Sequence, residues 1–242
     1  NTGQTGGTPD ADIDLPEAHD IETGSSEVIV QVIDSGIELD HPDMQGSYWV
    51  NPSEEEDGTD TDGNGYVDDI YGYNFADNTP SPEIVDPSQE GKSHGLHVSG
   101  TIAARNNNGE GVASVAGGDG TSDSGVRIMT GLTFGSAVTG FAEALVYGAD
   151  NGAVISNNSW GNTSPGFVEQ PVLDAIDYFT EEAGGPNAPM DGGLVIFAAG
   201  NENDNGEWYP GFYETAMAVS ATDHNDEKSS FSNFGDWVDI AA

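Results

Sequence analysis

Short β-branched runs alternate with segments of helical period along this chain, and that alternation restricts its fold more than any other feature. Glu27 to Ile33 (EVIVQVI) is the first strong strand, followed by Val126 to Met129, Ala153 to Ser156 and Leu194 to Ala198. Weaker strands are expected at Ala216 to Ala221 and Trp237 to Ile240. Between them Val138, Phe141, Ala142, Leu145, Val146 and Ala149 recur at the i, i+3, i+4, i+7 spacing of one helix face. A second stripe, Val172, Ala175, Ile176 and Phe179, begins near Pro171 and meets the breaker Gly184-Gly185-Pro186. Strands and helices in alternation predict an α/β protein whose mainly parallel sheet is flanked by helices on both faces. In such folds the chemistry sits beyond the carboxyl ends of the strands.

A chain of 242 residues can bury one large core, so a single domain is expected over 1–242. Residues 1–26 read as an extended polar arm, and the acidic, turn-rich stretch 51–89 as a loop insertion within that domain. Four Lys+Arg against 43 Asp+Glu give a formal charge of −39. Such a surface repels polyanions, which argues against a nucleic-acid partner. It suits high salt, where counterions screen self-repulsion, and it leaves carboxylates available for metal. The absence of Cys excludes thiol redox chemistry and disulfides. No apolar run reaches the roughly 18 residues of a membrane span, and Asn1-Thr2-Gly3-Gln4 lacks the basic and apolar parts of a signal peptide.

Asp34 closes the first strand in Val32-Ile33-Asp34-Ser35-Gly36, presenting a carboxylate just before a Gly that permits a sharp turn. Alone, the fragment proves little and reads better as a cap, since Asp also caps helices and turns. His94 opens the run His94-Gly95-Leu96-His97-Val98-Ser99-Gly100-Thr101, whose small residues let a helix pack closely on a neighbour. A carboxylate such as Asp34 beside that imidazole would hold one tautomer and stabilise the imidazolium. His97, three residues on, lacks an HExxH context and is not read as a zinc ligand.

Three motifs in order, Val-Ile-Asp-Ser-Gly at Asp34, His-Gly-x-His-Val-x-Gly-Thr at His94 and Ala198-Ala199-Gly200-Asn201, resemble the subtilisin-like serine proteases of the S8 peptidase family. The similarity continues through Asn158-Ser159-Trp160-Gly161 and Phe231-Ser232-Asn233-Phe234-Gly235. The resemblance implies a three-layer subtilisin-like fold and a secreted, extracellular endopeptidase acting on extended polypeptides. Asp34 would orient His94, His94 would serve as general base and then acid, and the Asn201 amide would donate to the oxyanion. Ser159, Trp160 and Gly161 would form the edge that pairs with substrate, through the backbone of Trp160 rather than its indole. Ala199 and Gly200 would line the first specificity pocket, their small size implying room for a sizeable apolar side chain.

Asp60, Asp62, Asn64, Tyr66, Asp68 and Asp69 lie in DTDGNGYVDD, with oxygen ligands at alternate positions and Gly at the bends, the pattern of a calcium loop. A solvated acidic turn is the competing reading. The resemblance adds a second calcium region, Asp43 with the Asn106-Asn107-Asn108-Gly109 loop, Asn107 being the loop residue assigned as ligand. The family's Gly-Thr-Ser-x-Ala segment, which carries the nucleophile, is expected after Ala241-Ala242. The fold is accordingly expected to be incomplete at the C-terminus, and residues 1–242 alone to be inactive, the Ser coming from a downstream fragment. A pro-segment preceding residue 1 is a further expected partner. Two alternatives stay open: a non-catalytic, calcium-stabilised peptide-binding remnant, and a glycosidase using paired carboxylates. Leu96 departs from the Thr usual beside the catalytic His, and Gly131-Leu132-Thr133-Phe134-Gly135 occupies the place of the second substrate-flanking strand.

Overall fold

The computed structural model describes residues 6–84, 93–185 and 188–242. The first five residues of the arm, residues 85–89 of the acidic insertion and Pro186 of the breaker lie outside the described residues. Seven strands form one sheet: β1 (Ile29–Asp34), β2 (Gly72–Asn74), β3 (Arg127–Leu132), β4 (Ile155–Asn158), β5 (Leu194–Ala198), β6 (Met217–Ser220) and β7 (Ile240–Ala241). Their order is β2-β3-β1-β4-β5-β6-β7, every pairing parallel. The helices are α1 (Leu15–His19), α2 (His94–Ala103), α3 (Phe141–Asp150) and α4 (Gln170–Glu182). None among the described residues is long and apolar enough to cross a membrane.

The period-2 alternation of β1 sorts its side chains onto two cores. Ile33 joins Met129, Leu145, Ile176, Phe179, Val195 and Phe197 beneath α3 and α4. Val30 and Val32 pack with Ile128, Ile37, Met44 and Ala103 on the side of α2. Gln31, wholly buried, faces α3 and donates Nε2–H to Ala144 O at 2.6 Å, while Ser156 Oγ donates to its Oε1 at 3.2 Å. Both ends of the amide are thereby satisfied, as burial demands. Gly148 makes room for it: a Cβ there would stand 2.4 Å from Gln31 Cδ.

The helix-period stripes are found with one shift. α4 buries Val172, Ala175, Ile176 and Phe179 as expected and ends before Gly184 and Gly185, both left-handed at φ 92° and 78°. α3 starts at Phe141, because Gly140 at φ 88° breaks the backbone run; Val138 lies outside the helix, bridges Phe134 and is exposed. The strands also differ at their ends. β7 is confined to Ile240–Ala241 because Val238 N–H turns back to Gly235 O at 3.2 Å, which removes Trp237 from the sheet. The arm contains the single turn α1, and the acidic insertion contributes β2, so neither is wholly irregular. Gly72 permits that pairing, since a Cβ would lie 2.0 Å from Thr130 O.

β1 lies between β3 and β4, so the chain, having filled one side of β1, crosses to the other. The carboxyl ends of β1, β4 and β5 are therefore side by side at the switch in strand order, the place where open α/β sheets bind ligands.

Candidate active site

Asp34 ends β1 with its carboxylate almost fully buried, and His94 is the first residue of α2. His94 Nδ1 stands 2.9 Å from both Oδ1 and Oδ2 of Asp34, although the two residues are 60 positions apart in sequence. The residues next to each create this approach. Gly95 sits so close to the turn after β1 that a Cβ would be 2.7 Å from Gly36 O and 3.0 Å from Asp34 Cβ. Gly36 makes the turn itself at φ 103°. Ser35 Oγ accepts the Gly95 N–H at 3.0 Å, satisfying one of the donors that a helix start leaves unpaired. Ser35 N–H in turn donates to Asp34 Oδ1 at 2.7 Å. The hydrogen bond to Asp34 raises the His94 pKa above its ordinary value; partial burial opposes this, and the Asp34 charge reinforces it. The imidazole side chain keeps 52% of its surface exposed, so it is open to a reacting group.

Asn201 follows β5 and is exposed, beyond Ala199 and Gly200. The loop that carries it is clamped by Asn233, fully buried, whose Nδ2 donates to Ala199 O at 2.9 Å and to Glu202 Oε2 at 2.8 Å. Asn233 Oδ1 accepts the N–H groups of Glu202 and Asp204 at 3.0 and 3.1 Å, and its own N–H donates to Gly200 O at 2.9 Å. Gly200, at φ 107°, leaves space for this amide; a Cβ there would be 2.4 Å from Asn233 Nδ2. Sequence reasoning noted the run containing Asn233 but not its part as a clamp.

Ser159, Trp160 and Gly161 extend from β4 and, with Ala199, Gly200 and Asn201, line one cavity of about 110 Å³. The Trp160 indole is buried between Phe141 and Phe197 and donates Nε1–H to Asn158 Oδ1 at 3.1 Å. Its ring is thus a core element, and only its backbone is free to meet a ligand. Trp208 and Tyr209 also line this cavity, and neither was singled out in the sequence. In the stretch 131–135, Gly131 and Leu132 complete β3, and Phe134 bridges Val138. Leu96 is partly buried against the α2-side core.

The acidic loop converges differently from the sequence pattern. Asp62 and Asp69 come together with Glu54, their oxygens within 4.8 Å of one another, and Glu54 and Asp69 are buried. Glu54 was missed because it lies outside the DGNG run. Asn64 Nδ2 spans Asp62 and Asp69 at 3.2 and 3.0 Å, and Asn51 does the same from the other side at 3.0 and 3.2 Å. Asp60 instead accepts the N–H groups of Gly63, Asn64 and Gly65, and Asp68 accepts those of Asp57 and Gly58. The Tyr66 ring stacks edge-on with Tyr73, Phe75 and Tyr147. Burial holds the Asp69 pKa up, against hydrogen bonds from Tyr147, Asn64 and Asn51. Arg105, Arg127 and Lys228 are each bonded elsewhere, so no described Arg or Lys neutralises the group. At the second region, Asn107 does not meet Asp43: its Nδ2 donates to Asp119 O at 3.1 Å. Buried Asp43 instead accepts Asn108 Nδ2 and Val112 N–H, both at 2.8 Å.

The sequence profile described as the Subtilase family matches residues 25–242. The chain is 33% identical over 230 residues to thermitase of Thermoactinomyces vulgaris, covering 95% of this chain and 67% of that protein. It is 32% identical over 219 residues to the halolysin-like extracellular serine protease Nep of Natrialba magadii, covering 90% of this chain and 34% of the relative. Among solved structures, a protease from Pseudoalteromonas arctica superposes with a TM-score of 0.69 at 25% identity, over 95% of this chain and 66% of that one. The chain thus spans between a third and two thirds of the length of these relatives. With that match and a parallel α/β sheet of the same fold, the chain belongs to the subtilase family, the subtilisin-like serine peptidases of group S8.

Proposed function

We propose that Asp34, His94 and Asn201 serve a serine endopeptidase that cuts extended polypeptides, the nucleophilic Ser lying in a part of the protein that follows residue 242. The observation that carries this is the contact of His94 Nδ1 with both oxygens of a buried Asp34 at 2.9 Å. With Nδ1–H committed to the carboxylate, Nε2 is the nitrogen that takes the Ser proton as Oγ attacks the peptide carbonyl. The same proton then passes to the leaving amine as the C–N bond breaks, and a water repeats the sequence on the acyl ester. Asp34 holds the ring and steadies the imidazolium. Asn201, exposed on a clamped loop, donates to the oxyanion; loss of the corresponding amide in subtilisin costs about 10²–10³ in kcat. The backbone of Ser159 to Gly161 pairs with the substrate as an added strand.

Glu54, Asp62 and Asp69 would hold a structural calcium ion. Hard oxygen donors converge there, two of them buried and with no described Lys or Arg opposing them, which fits that cation. The ion would tie the acidic insertion to the domain. The charge of −39 and the likeness to an enzyme named halolysin-like and extracellular favour action outside the cell at high salt. The test is hydrolysis of an extended peptide by the full-length protein: His94→Ala should lower kcat by about 10⁶, as loss of the triad His does in subtilisin. Unchanged hydrolysis by His94→Ala would remove the assignment.

A further inference from the structure

Ser156 and Asn158 of β4 and Trp160 just beyond it alternate along the chain and so point to one face of the sheet. Their cross-strand neighbours on that face are apolar: Ile33 on β1, and Val195 and Phe197 on β5. Through this apolar layer runs a line of polar groups with every bond pointing the same way. Trp160 Nε1–H donates to Asn158 Oδ1 at 3.1 Å, and Asn158 Nδ2 donates to Ser156 Oγ at 3.1 Å. Ser156 Oγ donates to Gln31 Oε1 at 3.2 Å, and Gln31 Nε2 to Ala144 O of α3 at 2.6 Å. Asn158 Nδ2 also reaches the carbonyls of Ser156 and Ile196 at 3.1 and 3.3 Å, so both ends of its amide are engaged. Gln31 and Ser156 are wholly buried and Asn158 nearly so. Bonds aligned head to tail in a low-dielectric interior polarise and strengthen one another.

Stability does not require such a line, because apolar residues of the same shape can replace a hydrogen-bonded set at little cost. What the line supplies is a single arrangement of the groups it joins. Its outer end is Trp160, whose ring lies between Phe141 and Phe197 at centroid distances of 4.0 and 5.0 Å. Packing contacts of that kind are weakly directional and leave the ring free to slide in its slot. The bond from Nε1 is directional and stops the slide. β4 ends at Asn158, and Asn162 N–H is tied to Tyr209 O at 3.0 Å; of the residues between, only Trp160 is buried. Holding the indole therefore holds the backbone of Ser159 to Gly161. We propose that Asn158 is a positioning residue of the peptidase, which fixes, through the Trp160 indole, the edge along which an extended substrate pairs. The proposal rests on the peptidase function proposed above.

The test compares kcat/KM of the full-length protein for two substrates with the same residue at the scissile carbonyl: a peptide long enough to run along Ser159 to Gly161, and a single-residue ester that cannot. Asn158→Leu keeps the side-chain size and removes the bond to the indole; Trp160→Phe keeps an aromatic ring and removes the N–H. A misplacement of about 1 Å costs about 10²-fold, so each variant is expected to lower the peptide-to-ester ratio by about tenfold or more. The double variant is expected to lower it no further, because both changes remove the same bond. A role in stability alone would lower the melting temperature and both rates together and leave the ratio where it was. Should Asn158→Leu not fold, Trp160→Phe, which leaves the amide in place, carries the comparison. An unchanged ratio in folded Trp160→Phe, or losses that add in the double variant, overturns the positioning role while the peptidase function stands. If wild type cuts neither substrate, both fall together.

Discussion

His94 Nδ1 lies 2.9 Å from each carboxylate oxygen of Asp34, a contact made possible by Gly95, whose missing side chain lets the start of α2 rest against the turn that follows β1. The same contact sets how the protein responds to pH. A general base must be neutral, and the hydrogen bond to Asp34 raises the His94 pKa above about 6.5. Hydrolysis by the full-length protein should therefore rise with pH to a midpoint above about 6.5. Asp34→Asn should lower both the midpoint and kcat, the latter by about 10⁴, as the corresponding change does in a Ser-His-Asp protease. For stability the sign is reversed. A folded-state pKa above the unfolded one makes the His94–Asp34 contribution complete below about 6.5 and lost as pH rises through the folded value. A pH–rate profile of wild type and Asp34→Asn checks the first statement, and thermal melts across the same range check the second.

Gly95→Ala should damage the site although both ionisable residues are kept. The added methyl meets Gly36 O at 2.7 Å and Asp34 Cβ at 3.0 Å, and at least one of these is rigid backbone. Overpacking of this kind costs about 1–3 kcal/mol. A lower melting temperature together with a fall in kcat larger than the change in KM is the expected outcome, read from melts and steady-state kinetics.

Asn233→Ala should loosen the loop that carries Asn201. Its amide joins Ala199, Glu202 and Asp204 while fully buried, so truncation leaves several of those groups unpaired. The expected loss is about 2–4 kcal/mol, measured by denaturant unfolding, with kcat reduced at little change in KM.

Calcium should raise the melting temperature of wild type. A ligand present at 100 times its Kd stabilises the folded state by about 2.7 kcal/mol, which for a domain of this size is a shift of several degrees. Glu54→Gln, Asp62→Ala and Asp69→Asn should each diminish that shift, and a chelator should abolish it in wild type. The Glu54 variant is the informative one, because only the three-dimensional convergence of Glu54 with Asp62 and Asp69 brings it into the group.

The parallel α/β architecture was legible because β1, β5 and α4 carry their periods locally, in runs long enough to count. Asp34 and His94 were legible through the short motifs around them, whose Gly and Ser residues do the work of bringing a strand end and a helix start together. What escaped depends on distance in the chain. β2 is three residues long and is fixed by its approach to Thr130 rather than by its own pattern. Val138 fits a helical stripe, yet Gly140 takes a left-handed φ that ends the helix before it. Trp208 reads as an ordinary aromatic until the cavity is seen to lie against it. In the same way, the loop from Asn106 to Gly109 was legible only as a whole, whereas the fold separates its members: Asn108 reaches Asp43 and Asn107 donates to Asp119 O.

The most direct measurement is labelling of the full-length protein with a serine-directed phosphonate, comparing wild type with His94→Ala and locating the adduct by peptide mass spectrometry. The expected result is one labelled Ser beyond residue 242 in wild type and labelling slowed by about 10³ or more in His94→Ala, since the imidazole activates that hydroxyl. Failure of wild type to label, or equal labelling of the two proteins, would contradict the assignment of Asp34 and His94 to serine-protease chemistry.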